Sequence, residues 1–332
     1  MLVALLAGAP RWASPTLPAL RHRCTASSAA DSVCLIDSHN LAYRMHFGMR
    51  PLTGPSGEPV HAVLGFCNKL VQLRTLFPNH LMLAAFDTGK SEARTEMLAE
   101  YKGTRVSMPN DLSTQMRLIH EATHAFGVPS VGVLGYEADD IIATCVHKAR
   151  KHDFAAVSVV STDKDLLQLV SRSGTTPNVT VYDDRRKLLI DAARVKELHG
   201  VEAHQIVDYL ALVGDNSDNV PGVPGVGPKS AAKFLLEHGD LEAVLGAAPT
   251  MRKSKRQQAL VDFAETARLA KRLVTLQYDV PGVPELHEPW VQTPFAELPD
   301  LQPFLQAHGF AQLERRLFGV AAGKFRKLES GG

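Results

Sequence analysis

With 332 residues, 45% of them hydrophobic and 21% charged, the chain is long enough for two folded units and has an ordinary globular composition. No apolar run approaches the roughly 20 residues that a spanning helix needs, and a formal charge of +1 excludes a partner held by net charge alone. Cys24, Cys34, Cys67 and Cys145 form no C-x-x-C pair, which argues against a disulfide framework or a zinc site and fits a reducing compartment.

Residues 1–30 hold Arg11, Arg21 and Arg23 among many Ser, Thr and Ala, and the first acid is Asp31. That composition predicts an organelle transit peptide over residues 1–31, mitochondrial or plastid. A secretory signal is the competing reading of L-V-A-L-L-A-G-A, but it lacks a basic start. Removing residues 1–30 turns the charge of +1 into −2, so any nucleic-acid surface has to be a local patch.

From Ser32 the pattern is strand, helix, strand. V-C-L-I-D (33–37), L-M-L-A-A-F-D (81–87) and V-S-V-V-S-T-D (157–163) are strand-length apolar runs separated by segments of helical period. The expected fold class is α/β, a mostly parallel sheet covered on both faces. Each run leads to an aspartate, Asp37, Asp87 and Asp163, at the strand edge where such sheets place their crevice. Between Thr88 and Asp111 a polar, basic segment with Gly103 and Pro109 reads as leaving the core. It carries Arg94, Tyr101, Lys102 and Arg105 toward a substrate.

G-Y-E-A-D-D-I-I sets Glu137, Asp139 and Asp140 against the start of an apolar helix. Asp163 and Asp165 flank Lys164, and Asp215 and Asp218 are three residues apart. Helix capping explains one or two of these acids, not nine. If they converge, a hard cation with oxygen ligands must neutralise them, Mg²⁺ or Mn²⁺, and the surplus of acids suggests two ions. Two such ions serve in-line phosphodiester hydrolysis.

I-V-D-Y-L-A-L-V-G (206–214) predicts a helix stopped by glycine, and G-V-P-G-V-G-P-K opens another at Pro228. The glycines Gly222, Gly225 and Gly227, with Lys229, Ser230 and Lys233, suit a phosphate at a helix N-terminus. The remainder to about Val320 reads as helical, with basic clusters at Arg252–Arg256 and Arg268–Arg272.

Six blocks carry a resemblance: D-S-H-N-L-A-Y-R, F-D-T-G-K-S-E-A-R, Y-K-G-T-R, G-Y-E-A-D-D-I-I-A, S-T-D-K-D-L-L-Q-L and G-D-N-S-D-N-V-P-G-V-P-G-V-G-P-K-S-A. Together they resemble the 5′-3′ exonuclease domain of bacterial DNA polymerase I, of the structure-specific 5′ nuclease (flap endonuclease) superfamily. The resemblance runs from about Val33 to about Phe318. It implies a PIN-like catalytic domain over 32–200, a helical arch, and a helix-three-turn-helix DNA-binding domain over 201–320, with 321–332 as a tail. First-site metal ligands would be Asp37, Asp87, Glu137, Asp139 and Asp140. Second-site ligands would be Asp163, Asp165, Asp215 and Asp218, with Asp139 and Asp140 near both. Lys102 would be the catalytic cation, beside Tyr101 and Arg105. Tyr43, Arg44 and Arg94 would touch DNA, and carbonyls around Val220–Val226 could hold K⁺. Expected substrates are DNA 5′ ends and flaps, and RNA primers on DNA, cut by a free-standing monomer in replication or repair. A non-catalytic DNA-structure binder and a PIN-type ribonuclease are the alternatives.

Overall fold

The computed structural model describes residues 32–325 apart from 79, 173 and 287–291. The transit peptide expected over 1–31 and the end of the tail (326–332) lie outside the described residues.

β1 (Ser32–Asp37) is buried along its whole length. Its side chains alternate between two cores, Val33 and Leu35 on one face, Cys34 and Ile36 on the other. Helices α1 (Ser38–Gly48) and α2 (His61–Leu76) lead to β2 (His80–Ala85), and α3 (Glu92–Met97) and α4 (Asn110–Ala125) lead to the short β3 (Ser130–Val131). Then α5 (Ala138–Lys151) precedes β4 (Ala156–Val160). β5 (Asn178–Asp183) and β6 (Leu188–Ile190) finish a six-stranded sheet of order β3-β2-β1-β4-β5-β6. Every pairing is parallel except β5 with β6. Because β1 lies between β2 and β4, the strand order reverses direction at β1, and a crevice opens beyond the carboxyl ends of those three strands.

Only Asp37 lies within its strand; Asp87 and Asp163 follow the ends of β2 and β4 by two and three residues. Those extra residues curl the chain over the sheet edge and bring the carboxylates inward. β5 and β6 were not anticipated.

The later helices are α6 (Ala192–His199), α7 (Ile206–Val213), α8 (Pro228–His238), α9 (Leu241–Ala247), α10 (Lys255–Asp262) and α11 (Ala264–Val274). α7 ends at Gly214, whose φ of +78° needs glycine, and α8 begins with Pro228 at its first position. Their apolar residues, Leu210, Leu235 and Leu273 among them, are continuous with the core that covers the α5 face of the sheet. α12 (Leu301–Ala307) and α13 (Ala311–Phe325) do not join this helical group. Leu301, Phe304, Leu305 and Leu313 pack with Leu112 and Phe126 on the other face, so the second unit expected over 201–320 gives its last part back to the first. No helix among the described residues is long and apolar enough to cross a membrane.

Candidate active site

The crevice at the sheet edge is a cavity of about 790 Å³ lined by Asp37, Asp87, Glu137, Asp139 and Asp163, with Tyr43, Lys102 and Arg105 at its mouth. Asp37 caps α1 by accepting from Asn40 N at 3.1 Å, and Ser161 Oγ donates to its other oxygen at 2.8 Å. Asp87 accepts from Ala138 N, at the start of α5, at 2.7 Å. Asp163 accepts from Asp165 N at 3.0 Å. Asp37, Asp87 and Asp163 are thus held by backbone N–H groups or a hydroxyl, and each carboxylate oxygen has a second lone pair for another partner.

Three further acids lie beside this cavity. Ligand oxygens of Asp165, Asp215 and Asp218, all buried, come within 4.8 Å of one another. Asp215 is fastened by Ser217 N at 2.8 Å and by Lys164 Nζ at 3.1 Å. Asp165 Oδ1 is buried with no hydrogen-bond partner among the described residues. A buried carboxylate oxygen left bare costs free energy, and an all-oxygen set with that defect suits a divalent cation.

Electrostatics link the two groups. Burial pushes Asp37 up to about 7, helped by the charges of Asp87 and Asp163. Enclosure, then Asp163, Asp37 and Asp87, raises Asp139 well above the usual carboxylate range. Asp163 is raised by burial and by Asp218 and Asp215, and Asp165 is raised well above by burial, then by Asp163, Asp218 and Asp215. Asp163 is therefore the carboxylate that couples both sets. The expected bridge was Asp139 and Asp140, but only Asp139 lines the cavity.

Asp140 points the other way and is fully buried. Both of its oxygens accept from Arg94, at 2.6 and 2.8 Å, and one accepts from Gln277 N at 3.0 Å. Arg94 is itself buried, donating also to Leu273 O at 2.8 Å and to Glu137 Oε2 at 3.2 Å. These contacts contradict two expectations: Asp140 has no oxygen facing the cavity, and Arg94 is not placed to touch DNA. The reason is geometric. Glu137 and Asp140 do share a side of the helix entrance, but α3 packs there and supplies the counter-charge.

The segment 88–111 leaves the core less than its composition suggests. Tyr101 is buried, and its hydroxyl donates to Glu137 Oε2 at 3.1 Å. Burial, then Glu137, holds this phenol far above its usual range, so it stays protonated and acts as a positioning group. Lys102 N donates to Asp218 O at 2.9 Å, which fixes the residue at a φ of +53°. Lys102 Nζ donates to Glu137 Oε1 at 2.7 Å and lies 3.6 Å from Asp218 Oδ2. Burial opposes its charge, but Glu137 and Asp218 outweigh that and hold it protonated. Arg105, half exposed, pairs with Asp218.

Among the expected DNA contacts, Tyr43 stands at the cavity mouth. Arg44 lines it too, but its guanidinium pairs with Asp184, whose buried carboxylate also takes Lys69 Nζ at 2.9 Å. Gly222 is not available to a phosphate: a Cβ there would sit 2.3 Å from Val213 O, so it serves close backbone packing. Gly225 is exposed at a φ of +76°, Gly227 caps α8, and Lys229, Ser230 and Lys233 follow on its first turns. Val220 O and Val223 O accept from Asp215 N and Val226 N, so these carbonyls already have partners. Of the basic clusters, Arg268 pairs with Glu242 and Glu265 and Lys271 with Asp208, while Arg252, Lys253, Lys255 and Arg256 are exposed without an ion pair among the described residues.

Sequence reasoning passed over His39, Ser161 and Lys164. His39 Nδ1 accepts from Asp87 N at 3.1 Å, and burial lowers its pKa, so the ring is a neutral support. All three stand within two residues of an acid in the quoted blocks, and that proximity was the available signal.

A family model for the N-terminal resolvase-like domain of 5′-3′ exonucleases matches residues 32–200, and one for their C-terminal SAM fold matches 201–296. The chain belongs to the 5′-3′ exonuclease family. This exonuclease-family chain is 38% identical over 315 residues to DNA polymerase I of Rhizobium leguminosarum, covering 92% of itself and 30% of that protein. It is 39% identical over 253 residues to DNA polymerase I of Bacillus subtilis (strain 168), covering 74% of itself and 28% of the relative. The chain thus spans less than a third of the length of these relatives. Among solved structures, T5 5′-exonuclease with bound zinc shares its fold with a TM-score of 0.62 at 24% identity, covering 73% of this chain and 89% of that one. The catalytic core of Rad2 in complex with a DNA substrate aligns with a TM-score of 0.53 at 18% identity, over 85% and 88%.

The acid cluster makes the cation-free fold pH-sensitive. Asp37 has a folded pKa of about 7 against an ordinary 3.8, so the folded state holds the proton more tightly than the unfolded one. The resulting stability is fully present below the ordinary value and is lost as pH rises toward 7, at about 1.4 kcal/mol for each pH step of one across that window. Thermal melts in EDTA are expected to fall from pH 5 to 7.5, and Asp37→Asn to flatten that slope. A wild-type curve that rises over this window would contradict the placement of these acids.

Proposed function

We propose that this chain is a metal-dependent 5′-3′ exonuclease and flap endonuclease that hydrolyses DNA phosphodiesters at 5′ ends and flaps, including RNA primers on DNA, during replication or repair. The observation that carries this reading is the meeting of Asp37, Asp87, Asp139 and Asp163 in one cavity with Lys102 and Arg105 at its mouth. The DNA substrate bound by the Rad2 core supports it.

Asp37, Asp87, Glu137 and Asp139 would hold one Mg²⁺ or Mn²⁺, in part through water, and Asp165, Asp215 and Asp218 the other, with Asp163 between the two. Bound there, the ions would activate water and neutralise the attacking and leaving oxygens. Lys102, protonated and held by its own backbone, presents its ammonium to the scissile phosphate. Arg105 is half exposed and placed to do the same. Tyr101 keeps Glu137 in register. The exposed Gly225 turn, Lys229 and the start of α8 bind the duplex backbone without reading sequence. K⁺ in that turn requires a second coordination of carbonyls already in use. Cleavage leaves a 5′-phosphate, and the working unit is a monomer.

The test uses the purified full chain and a labelled 5′-flap duplex in Mg²⁺ or in EDTA, with an RNA flap as comparator at equal salt. Cleavage of the DNA flap in Mg²⁺ alone is expected. Flap binding without turnover would make the chain a structural DNA binder. We also propose, from the composition of residues 1–31, delivery to a mitochondrion or plastid. Cytosolic fluorescence of a fusion carrying that segment would refute it.

A further inference from the structure

A second group of metal-type ligands lies outside the acidic cavity. His46, near the end of α1, His61, the first residue of α2, and Asp111, in the first turn of α4, meet where the 88–111 segment rejoins the core. One ligand atom from each lies within 4.8 Å of the others. His61 Nε2 is 3.0 Å from His46 Nδ1, whereas Asp111 Oδ1 is 3.8 Å from the other nitrogen of that ring, Nε2, so the half-exposed Asp111 side chain has to swing toward the Nδ1 side to share an ion with the pair. Two nitrogens at about 2.0–2.1 Å from one tetrahedral zinc stand roughly 3.3 Å apart, so the imidazole pair is a few tenths of an ångström from that spacing.

The surroundings suit an ion. The two rings lie 4.9 Å apart at an interplanar angle of 36°, and the Phe47 ring meets His46 edge-on at 4.8 Å. His61 is 3% exposed, whereas Asp111 is half exposed and leaves room for water as a further ligand. Among the described residues no Lys or Arg forms an ion pair with Asp111. Two imidazoles and one carboxylate are a borderline-soft donor set, suited to zinc-class cations rather than to Mg²⁺. The cysteine pattern argued against zinc, but this set needs no cysteine and joins helices far apart in the chain.

We propose that His46, His61 and Asp111 form a zinc-class cation site, completed by water, that ties the foot of the 88–111 segment to α1 and α2. Tyr43 and Arg44, at the cavity mouth, lie one turn earlier on the same α1, so the ion braces that wall of the cavity.

The test titrates Zn²⁺ into the full chain under saturating Mg²⁺, with a chromophoric chelator as competitor, and repeats the titration on His46→Asn and Asp111→Asn. The wild type is expected to bind one more Zn²⁺ per chain than His46→Asn, and Asp111→Asn to bind that ion at least tenfold more weakly. Zinc should raise the melting temperature of the wild type but not of His46→Asn, and Co²⁺ should give visible ligand-field bands in the wild type alone. His61→Gln, at a buried position, risks the fold and is not the chosen variant. Equal zinc stoichiometry and equal melting shifts in wild type and His46→Asn would overturn the proposal, leaving only a hydrogen-bonded imidazole pair.

Discussion

Asp139→Asn is expected to lower Mg²⁺-dependent turnover by on the order of 10²–10³-fold, the loss typical of removing one well-placed transition-state group. Asp139 lines the cavity, and its charge is disfavoured there by burial and by Asp163, Asp37 and Asp87. Removing the charge relieves that repulsion, so the same variant should melt higher than wild type in EDTA at neutral pH. Higher stability with lower activity is the signature of a group placed for chemistry against its own electrostatics. Single-turnover cleavage and a melt in EDTA measure the two halves. Unchanged turnover would remove Asp139 from the site.

The neighbouring acid should behave in the opposite way. Arg94→Met leaves Asp140 buried with its two Arg94 hydrogen bonds gone, and breaking a buried ion pair on one side costs about 3–5 kcal/mol. The variant should show a large fall in urea midpoint, and Arg94→Met combined with Asp140→Asn should recover part of it by removing the stranded charge. If Arg94 were instead a DNA contact, the single change would weaken flap binding and leave the urea midpoint in place. Adjacent carboxylates, Asp139 and Asp140, are thereby assigned to function and to architecture by separate measurements.

Much of this arrangement was legible in the chain. Strand-length runs ending near Asp37, Asp87 and Asp163 located the sheet edge, because parallel strands buried on both faces read as continuous apolar text. The stop at Gly214 and the start at Pro228 were equally plain, since each depends on one residue's backbone chemistry. The direction of a side chain at a helix entrance was not legible. Asp139 and Asp140 differ by one position, about 100° around a helix. Which of them meets the cavity depends on where α3 and α11 pack, and no local pattern states that. Arg94 was misread for the same reason: a cation in a polar stretch looks solvent-facing until a buried carboxylate claims it. β5 and β6 were missed although V-T-V-Y-D alternates as a strand should.

The return of α12 and α13 to the α4 face has a consequence for synthesis. Leu112 and Phe126 are translated well before the residues that cover them, Leu301 to Leu313, which follow 175 or more residues later. At ~5–20 residues per second, roughly 10–35 s separate the two at the ribosome. During that interval the nascent sheet carries a naked apolar flank, a natural seat for a holdase. Cleavage competence should therefore wait until α12 and α13 have emerged and packed, even though every acid of the cavity is translated well before.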